Sequence, residues 1–319
     1  MKKEPAVHTI IVTYNGEEWI HKCLNSLYES TLKTEIIVID NHSEDGTVQI
    51  IENEFNSVRL IKLNENIGFG QANNIGFKLA IKEEADYIFL INQDAWLSSP
   101  DTILTLLNSL KLTHDYGIIS PIHLYGNGKR VILEKHYFTP VIHSANDLFS
   151  DLFLNKKLKD IYEVEYIPAA AWLMPIRTLK EIGGFDPLFF HYGEDDNYMQ
   201  RLKYHKLKIG ISPYAHICHD IEFRELDYNS LFNNLSKNLM VELSDIRKEN
   251  ILHQKKKHFI FRFLQQFFFL RFKSAYRYLE VLKLILKNEK AIMYSRSINK
   301  IKSPNWLSEQ NKKSFDMNI

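Results

Sequence analysis

Two acidic motifs, about a hundred residues apart, are the part of this sequence best suited to chemistry. The first, Asn92–Asp94, follows the apolar run 87–91, and the second, Glu194–Asp196, opens a region with a helical pattern. A carboxylate at the tip of a buried strand suits a divalent cation, which takes oxygen ligands. A second carboxylate nearby can act as a general base. The sequence therefore predicts a metal ion at the first motif and a proton acceptor at the second.

Alternating strands and helices over the first hundred residues must position these motifs. Short apolar runs rich in β-branched residues predict strands at 8–13, 35–40, 58–61 and 86–91. Helical patterns between them predict βαβ units and a mainly parallel central sheet, which is an α/β fold. Ligands of such sheets bind beyond the carboxyl ends of the strands. The loop 13–16, Asp40 and Asp94 all follow strand ends, so we expect them to share one rim.

The composition is that of a soluble globular protein. Of the 319 residues, 45% are hydrophobic and 25% are charged, which is ordinary for this class. Two cysteines, Cys23 and Cys218, make no disulfide framework, so a reducing, cytoplasmic compartment is the simpler interpretation. We find no secretory signal and no run of about 18 apolar residues, so no membrane-spanning helix is expected.

The last ninety residues differ from the rest in charge and pattern. The segment 251–302 carries 13 Lys or Arg against two Glu, although the whole chain has a net charge of only +1. Its aromatic residues alternate with cations, which is typical of a helix lying on an anionic membrane surface at the inner face of the cell membrane. The alternative is a helix packed on the body with a solvated basic side. We predict two units, 1–230 and a helical extension 231–319.

Five short motifs in a fixed order resemble family 2 glycosyltransferases, in particular their bacterial rhamnosyltransferase-like branch. The similarity covers about residues 7–222 and leaves the C-terminal extension outside. The motifs that carry it are Ile11–Asn15, Ile39–Thr47, Asn66–Asn74, Ile182–Asp186 and Glu194–Asp195. The resemblance implies a GT-A fold, a nucleotide-sugar donor, a Mg²⁺ or Mn²⁺ ion and inversion at the anomeric carbon.

The resemblance also assigns donor-binding residues within these motifs. Thr13, Tyr14 and Asn15 would line the nucleotide pocket, and Asp40 would contact the base or the ribose. The remaining donor-site residues implied by the matched motifs are Asn41, Gly68 and Asn73.

The metal-binding residues follow from the same likeness. Asp94 occupies the metal-binding position of the family's Asp-any-Asp motif, whose first member is Asn92 here. His219 falls where a late histidine often reaches the metal or the diphosphate, and His216, three residues away, competes for that role. One carboxylate is chemically sufficient, because such cations often take one or two carboxylates plus phosphate oxygens.

Asp195 falls at the family's general-base position. A further acid often stands two residues beyond it, where this chain has Asn197, and the adjacent Asp196 leaves the choice of base open. The acceptor hydroxyl must lose a proton as it attacks, and a carboxylate within about 3 Å can take it. Attack opposite the leaving group inverts the anomeric carbon without a covalent enzyme intermediate.

Each of these features also has a structural explanation. Asp94 can be a turn residue at a strand end, and Asp40 can open an Asx-turn. Glu194–Asp196 can be a solvated helix start, because acids suit the positive end of a helix. The two histidines can be ordinary core or surface residues, and Trp172 is more often a core residue than a platform for an acceptor sugar.

Together these observations predict an inverting, metal-dependent glycosyltransferase. It would move a hexose or deoxyhexose from a UDP- or dTDP-sugar to a hydroxyl of a glycan or lipid-linked glycan, in cell-surface polysaccharide synthesis. The alternatives are a non-catalytic nucleotide-sugar or glycan-binding protein and a nucleotidyltransferase. The acidic Glu17 and Glu18 after the first strand argue against the latter, and the net acidic body argues against nucleic acid as a partner.

Overall fold

A mixed β-sheet carries both acidic motifs. The computed structural model describes residues 4–133, 135–220 and 228–308, and within these ranges nine strands pair in one sheet. The strands are β1 Val7–Thr13, β2 Glu35–Asp40, β3 Arg59–Lys62, β4 Tyr87–Ile91, β5 Ala95–Leu97, β6 Tyr116–Tyr125, β7 Tyr162–Glu163, β8 Ala171–Pro175 and β9 Lys208–His219.

The helices of the body lie between these strands, and three more follow the last strand. Those of the body are α1 Ile20–Tyr28, α2 Thr47–Glu54, α3 Phe69–Lys82, α4 Thr102–Lys111, α5 Lys135–Ile142, α6 Asn146–Phe153, α7 Ile176–Ile182 and α8 Glu194–Tyr204. The C-terminal ones are α9 Tyr228–Ser244, α10 Ile251–Phe268 and α11 Phe272–Asn299.

The strand order shows where the sheet is parallel and where it is not. The order is β3-β2-β1-β4-β8-β6-β9-β5, with β7 beside β9. The four predicted strands β1 to β4 run parallel, as the βαβ pattern indicates. Beyond them, β8 runs antiparallel to β4 and β5 antiparallel to β9, whereas β6 and β9 are parallel. The α/β prediction is confirmed, with a mixed second half.

A hydrophobic core covers each face of the sheet. Successive residues of β1 point to opposite faces, so Ile10 and Ile11 belong to different cores. The first core packs against α3 through Phe77, and the second against α1 through Leu24. Trp172 on β8 is fully buried in the first core, where its indole N–H donates to the carbonyl of Pro168 at 2.9 Å. It is therefore a core residue, and the sugar-platform alternative is wrong.

The two cysteines are buried and do not form a disulfide, in agreement with the composition. Cys23 and Cys218 both lie in the interior as free thiols. Burial raises the pKa of both thiols, so each stays protonated and behaves as a small apolar side chain.

The C-terminal helices have a small core of their own and are also bonded to the body. That core comprises Leu243, Ile251, Leu252, Ile285 and Ile292. The buried carboxylate of Asp186, in the body, accepts hydrogen bonds from Ser295 Oγ and Asn299 Nδ2 of α11, each at 2.6 Å. Within the described ranges, no helix has the length and hydropathy needed to cross a membrane. The division at residue 230 stays a prediction.

A glycine in the body lets the backbone of the extension pass close to it. Gly183 adopts φ +85°, a conformation that L side chains rarely take, and a Cβ there would overlap the backbone of Asn305. Its neighbour Gly184 donates its N–H to the Asn305 carbonyl at 2.8 Å. The motif Ile182–Asp186 therefore has a structural role, because it contacts the chain that follows α11.

Replacing Asp186 by alanine is expected to lower the free energy of unfolding by roughly 2–4 kcal/mol, because two buried donors of α11 would lose their charged acceptor. Urea denaturation followed by circular dichroism measures the effect. Asp160→Ala, at an exposed aspartate of the body, is the control and should change stability by less than about 0.5 kcal/mol. An Asp186→Ala variant as stable as the wild type would show that this carboxylate does not hold the extension.

Candidate active site at the carboxyl edge of the sheet

The first two strand ends are tied together through Asp40. Thr13 Oγ1 donates to Asp40 Oδ1 at 3.0 Å, and the Ser43 N–H donates to Asp40 Oδ2 at 3.0 Å. The Thr13 and Asp40 side chains are buried. The second contact stabilises the turn that Asp40 opens, as the Asx-turn alternative expects. Both carboxylate oxygens thus have partners within the protein, and Asp40 shapes the loop 41–47 that follows it.

The loop after β1 is held by a residue that sequence reasoning missed. Gln93, the central member of the first acidic motif, accepts from the Tyr14 N–H at 2.9 Å and donates to the Tyr14 carbonyl at 3.1 Å. Asn15 Oδ1 accepts from the Glu44 N–H at 2.8 Å. The backbone of Tyr14 is therefore fixed on both sides while its side chain is 47% exposed. The sequence offers one signal for this role, because Gln93 stands between two recognisable motif residues, Asn92 and Asp94.

A network of asparagines positions the loop before α3. Asn41 Nδ2 donates to Asn66 Oδ1 at 2.8 Å, and Asn41 Oδ1 accepts from the Ile67 N–H at 2.9 Å. Asn66 Oδ1 also accepts from the Gly68 N–H at 2.9 Å. Buried amide groups need such partners, so Asn41 holds the loop 66–68 against the end of β2. Asn66 belongs to one of the five motifs, although the resemblance assigns it no role at the site.

Gly68 and Asn73 occupy different environments. Gly68 has φ +84°, and a Cβ there would overlap the carbonyl oxygen of Phe190, so only glycine fits. The contact brings the loop 66–68 to the chain that leads into the second acidic motif. Asn73 is buried in α3, where its Nδ2 donates to the Phe69 carbonyl at 3.0 Å. Asn73 therefore lies beneath the rim rather than on its open side.

Asp94 and His219 meet at the predicted metal position. Strand β5 pairs with β9 so that Ala95 lies opposite His219, and the Asp220 N–H donates to the Asp94 carbonyl at 2.9 Å. His219 Nε2 then lies 3.3 Å from Asp94 Oδ1. Among the described residues, Asp94 Oδ1 and His219 Nδ1 are buried without a hydrogen-bond partner. An orphaned carboxylate oxygen beside an imidazole suits Mn²⁺ better than Mg²⁺, which prefers oxygen ligands throughout.

His216 is not part of this pair. Residues three apart on a strand point to opposite faces, so the His216 side chain faces away from His219. The His216 carbonyl accepts from Ser98 Oγ at 3.0 Å and from Thr102 Oγ1 at 3.1 Å, which anchors the start of α4. Burial lowers the pKa of His216. Of the two histidines, the structure brings His219 to Asp94.

The chain between β7 and β8 connects the two acidic motifs. The Asn92 N–H donates to the Ala170 carbonyl at 3.0 Å, where β8 continues its pairing with β4. Four residues earlier, the Tyr166 hydroxyl donates to Asp195 Oδ2 at 2.7 Å. The segment 166–170 thus touches both motifs, and both lie on the same rim of the sheet. Tyr166 was missed, because nothing in its local sequence marks a partner 29 residues away.

Asp195 is the carboxylate of the second motif that a tyrosine hydroxyl orients. Helix α8 begins at Glu194, directly after Gly193, which has φ +99°. Asp195 Oδ1 accepts from the Asp196 N–H at 2.8 Å, in addition to the Tyr166 contact. Burial and the charge of Asp195 raise the pKa of the Tyr166 hydroxyl, so it remains a donor. The helix N-terminus further favours negative charge here.

The two neighbours of Asp195 both have raised pKa values. Burial, with the charge of Asp195, raises the pKa of Glu194 to about 7 and that of Asp196 to about 6. Glu194 is buried, and its Oε2 has no hydrogen-bond partner in the described part of the chain. Asn197 is buried as well and donates to Ser244 Oγ of α9 at 3.3 Å. The position where the family often has a further acid therefore faces the C-terminal extension.

The extension also supplies a cation to this cluster. Lys237 of α9 places its Nζ 4.9 Å from the centroid of the Tyr192 ring. Its charge opposes the rise in pKa of Glu194 and Asp196, the rise that burial and Asp195 cause. The sequence analysis considered only the cations of 251–302, for a membrane surface or a solvated helix face, and missed Lys237.

A separate group of possible metal ligands lies at the opposite edge of the sheet. His8, Glu35 and Glu83 place ligand atoms close together near the starts of β1 and β2. His8 Nε2 lies 3.4 Å from Glu35, and Arg59 pairs with Glu83 at 2.5 Å. The arginine already offsets the carboxylate charge, so this group forms an ion-pair network far from the predicted rim.

Comparison with known proteins gives several relatives that are named as glycosyltransferases. The chain is 30% identical over 168 residues to the poly(ribitol-phosphate) beta-N-acetylglucosaminyltransferase TarP of Staphylococcus aureus (strain N315), covering 50% of this chain and 49% of TarP. It is 28% identical over 214 residues to the glycosyltransferase GlyA of Streptococcus pneumoniae serotype 4, covering 64% of this chain and 29% of GlyA. The chain thus spans half or less of the length of these relatives.

Solved structures share the fold. TarS 1–349 of S. aureus in complex with UDP superposes with a TM-score of 0.53 at 17% identity, over 98% of this chain and 90% of that one. The mannosyltransferase PcManGT of Pyrobaculum calidifontis, in complex with GDP-Man and Mn²⁺, gives a TM-score of 0.54 at 19% identity, over 78% of this chain and 66% of that one. The expected GT-A fold is therefore confirmed.

A family model agrees with both comparisons. The model for glycosyl transferase family 2 matches residues 9–170, which is just over half of the 319 residues. The match includes the loops that position Tyr14, Asn41 and Gly68, the first acidic motif and the segment that leads to Tyr166. This chain belongs to glycosyl transferase family 2.

Proposed function

We propose that this protein is an inverting, metal-dependent glycosyltransferase. It moves a sugar from a UDP-sugar, or less favourably a dTDP-sugar, to a hydroxyl of a glycan or lipid-linked glycan in cell-surface polysaccharide synthesis. The observation that carries the proposal is the shared rim: the segment 166–170 contacts Asn92 on one side and Asp195 on the other. A cation site and a proton acceptor can therefore act on one donor and one acceptor.

The names of similar proteins support the choice of substrates. TarS was crystallised with UDP-GlcNAc, and TarP is named for N-acetylglucosamine transfer to poly(ribitol-phosphate). A further relative is a teichoic acid poly(glycerol phosphate) polymerase. We therefore propose a UDP-hexose or UDP-N-acetylhexosamine as donor and a phosphate-containing cell-wall polymer or its lipid-linked precursor as the first acceptor to test.

Asp94 and His219 would hold the divalent cation. A bound Mn²⁺ or Mg²⁺ neutralises the charge that develops on a departing nucleoside diphosphate. The protein contributes the orientation of its two ligands. Pairing of β5 with β9 fixes His219, and the hydrogen bond from the Asp220 N–H fixes the backbone of Asp94.

Asp195 is the proposed base. Its carboxylate is oriented by Tyr166 and by the Asp196 N–H, and precise orientation is what a proton acceptor needs. It would take the proton of the acceptor hydroxyl as the oxygen attacks the anomeric carbon from the face opposite the diphosphate. Asp196 lacks such a positioning donor in the described structure, and it remains the competing assignment.

The donor loops divide into contacting and positioning residues. We propose that the exposed ring of Tyr14 and the side chain of Asn15 line the nucleotide pocket. The backbone N–H of Tyr14 donates to Gln93 Oε1 and that of Asn15 donates to Ser43 Oγ, so both residues are held at the rim. Thr13, Asp40 and Asn41 are buried and hold the loops by hydrogen bonds. The contact of Asp40 with a base or ribose remains part of the proposal.

The C-terminal extension would face an anionic membrane surface at the cytoplasmic side. The aromatic tip, residues 267–272 between α10 and α11, exposes Phe268 to 80% and Leu270 to 72%. Arg271 and Lys273 are exposed beside it. Aromatic residues that can enter the interface, flanked by cations that can contact headgroups, are the combination that binds such surfaces.

Removing the metal ligands should weaken both transfer and nucleotide binding. We expect Asp94→Ala to lower transfer at least a hundredfold and His219→Ala at least tenfold, since the cation stabilises charge by several kcal/mol. Calorimetry of UDP binding with and without Mn²⁺ gives a second readout, in which both variants should lose the metal-dependent gain in affinity. His216→Ala is the matched control and should retain it. Transfer that survives both EDTA and Asp94→Ala would reject the metal role.

Neutralising the base should separate catalysis from binding. Asp195→Asn is expected to lower kcat by about 10²–10⁴-fold, the range for one general base, while UDP-sugar affinity stays within a few-fold of the wild type. Tyr166→Phe should cost less, because it removes only a positioning hydrogen bond. Steady-state kinetics and calorimetry measure the two quantities. A larger loss of kcat in Asp196→Asn would assign the base to Asp196, and unchanged kcat in both would reject both carboxylates as the base. A wild-type protein that binds UDP-sugars and transfers none would favour a non-catalytic binding protein.

The raised pKa of Glu194 predicts a pH-dependent stability difference. The folded pKa of about 7 lies above the ordinary value of 4.5. Between these values the native chain binds more protons than the unfolded chain, so wild-type stability falls as pH rises and levels off above pH 7. Glu194→Gln lacks this titration. Its free energy of unfolding relative to the wild type should increase by roughly 2–3 kcal/mol from pH 4.5 to 8.

Urea denaturation at a series of pH values tests this expectation. Glu29→Gln, at an exposed glutamate, is the control, and its difference from the wild type should stay constant with pH. A Glu194→Gln difference that is equally flat would show that Glu194 ionises in the folded protein as it does in water.

A further inference from the structure

A cavity lies in the C-terminal extension, outside the rim just described. Its volume is about 380 Å³, which falls within the usual range of small-molecule pockets. It lies between α9, α10 and α11. The described residues that line it include Leu239 and Phe259 on one side, and Ser274, Arg277, Val281 and Leu284 on the other. We call this cavity the extension groove.

The extension groove is elongated along α11. Its α11 residues recur at three- and four-residue intervals, so they form one stripe along the helix. From Ser274 to Leu284 the helix rises about 15 Å. Leu239, Phe259 and Val281 pack against the core of the extension, so the inner end is apolar. Ser274 lies in the first turn of α11, so the outer end lies beside the aromatic tip.

The length and the apolar lining favour one kind of occupant. The groove extends about 15 Å along α11, and Leu239, Phe259 and Val281 line its inner end. A single hydrocarbon chain has the required length and apolar character.

Three cations near the outer end lack carboxylate partners among the described residues, whereas three other cations of the extension have them. Lys255, Lys256 and Lys283 pair with Glu242, Glu289 and Glu280 at 2.6–2.9 Å. In contrast, exposed Arg277 and its neighbours Arg271 and Lys273 form no ion pair in the described part of the chain.

Arg262 is another cation near the groove that is bonded to neutral groups. Its guanidinium donates to the hydroxyl of Tyr278, another lining residue, at 3.1 Å, and to Gln265 at 2.8 Å. The outer end therefore concentrates uncompensated positive charge beside an apolar slot. An anionic headgroup attached to a hydrocarbon chain complements both features.

We propose that the extension groove binds one acyl chain of an anionic bilayer phospholipid, with its phosphate held by Arg277. The inference rests on the proposed membrane-facing side of the extension, because a tip seated in the interface brings lipids to the outer end of the groove. It does not rest on glycosyl transfer. A bound lipid would anchor the enzyme at anionic membranes more selectively than charge alone.

The test uses a soluble lipid and the full chain. Dioctanoyl-phosphatidylglycerol, kept below its micelle concentration, is titrated by calorimetry, with dioctanoyl-phosphatidylcholine as the zwitterionic reference. We expect saturable binding of the anionic lipid and at least tenfold weaker binding of the reference. Arg277→Gln should reduce this preference to about twofold or less. No nucleotide sugar is present, so the result is independent of whether the protein transfers a sugar.

Filling the groove should abolish binding. Leu284→Trp places a large side chain in the slot and should weaken phosphatidylglycerol binding at least tenfold. Leu286→Trp, on the same helix but 53% exposed and outside the lining, is the matched control and should bind within twofold of the wild type. Ser274→Leu fills the outer end without removing a buried apolar group, and thermal melting establishes that each variant is folded.

A tip variant separates the groove from the membrane surface. Phe268→Asp should reduce co-flotation with phosphatidylglycerol-containing vesicles and leave binding of the monomeric lipid unchanged. The proposal is overturned by absent or non-saturable binding, by equal binding of the two headgroups, or by folded groove-filling variants that bind normally. It is also overturned if geranyl phosphate binds tenfold more tightly than phosphatidylglycerol, because the groove would then suit the isoprenoid chain of a lipid-linked acceptor.

Discussion

The pairing of β8 with β4 is the interaction on which the geometry of the rim depends. It places the Ala170 carbonyl on the Asn92 N–H, at the point where the first acidic motif leaves its strand. The same stretch of chain then carries Tyr166 to Asp195. A shift of this register by one residue would turn every side chain of β8 to the opposite face. It would also move Tyr166 away from the carboxylate that it orients.

The C-terminal extension is connected to this rim through buried polar contacts. Asp186 receives donors from α11, and Asn197, two residues past Asp195, bonds to Ser244 of α9. Lys237 adds a positive charge beside the acidic cluster. An unpaired buried charge is costly, so the body and the extension depend on each other. Helix α9 therefore contacts the helix that carries the proposed base.

The sequence predicted the parallel half of the sheet and the rim because both depend on local patterns. β-Branched runs mark β1 to β4, and a carboxylate after a strand is visible by inspection. The contacts that complete the site are not local. Tyr14 is hydrogen-bonded to Gln93, 79 residues away, and Tyr166 to Asp195, 29 residues away. No periodic pattern in the sequence predicts either contact. The choice between His216 and His219 needed the register of β9, which a single sequence does not contain.

Electrostatics explains why the two acidic motifs have different surroundings. At the first motif, the described contacts of Asp94 and His219 include no Lys or Arg. A nucleoside diphosphate approaching a carboxylate there would be repelled unless a cation lay between them. At the second motif, three successive carboxylates share one helix start, and burial raises the pKa of two of them. Protonation of these two groups as the pH falls lowers the negative charge of the cluster, whereas Asp195 is the carboxylate that Tyr166 and the Asp196 N–H orient.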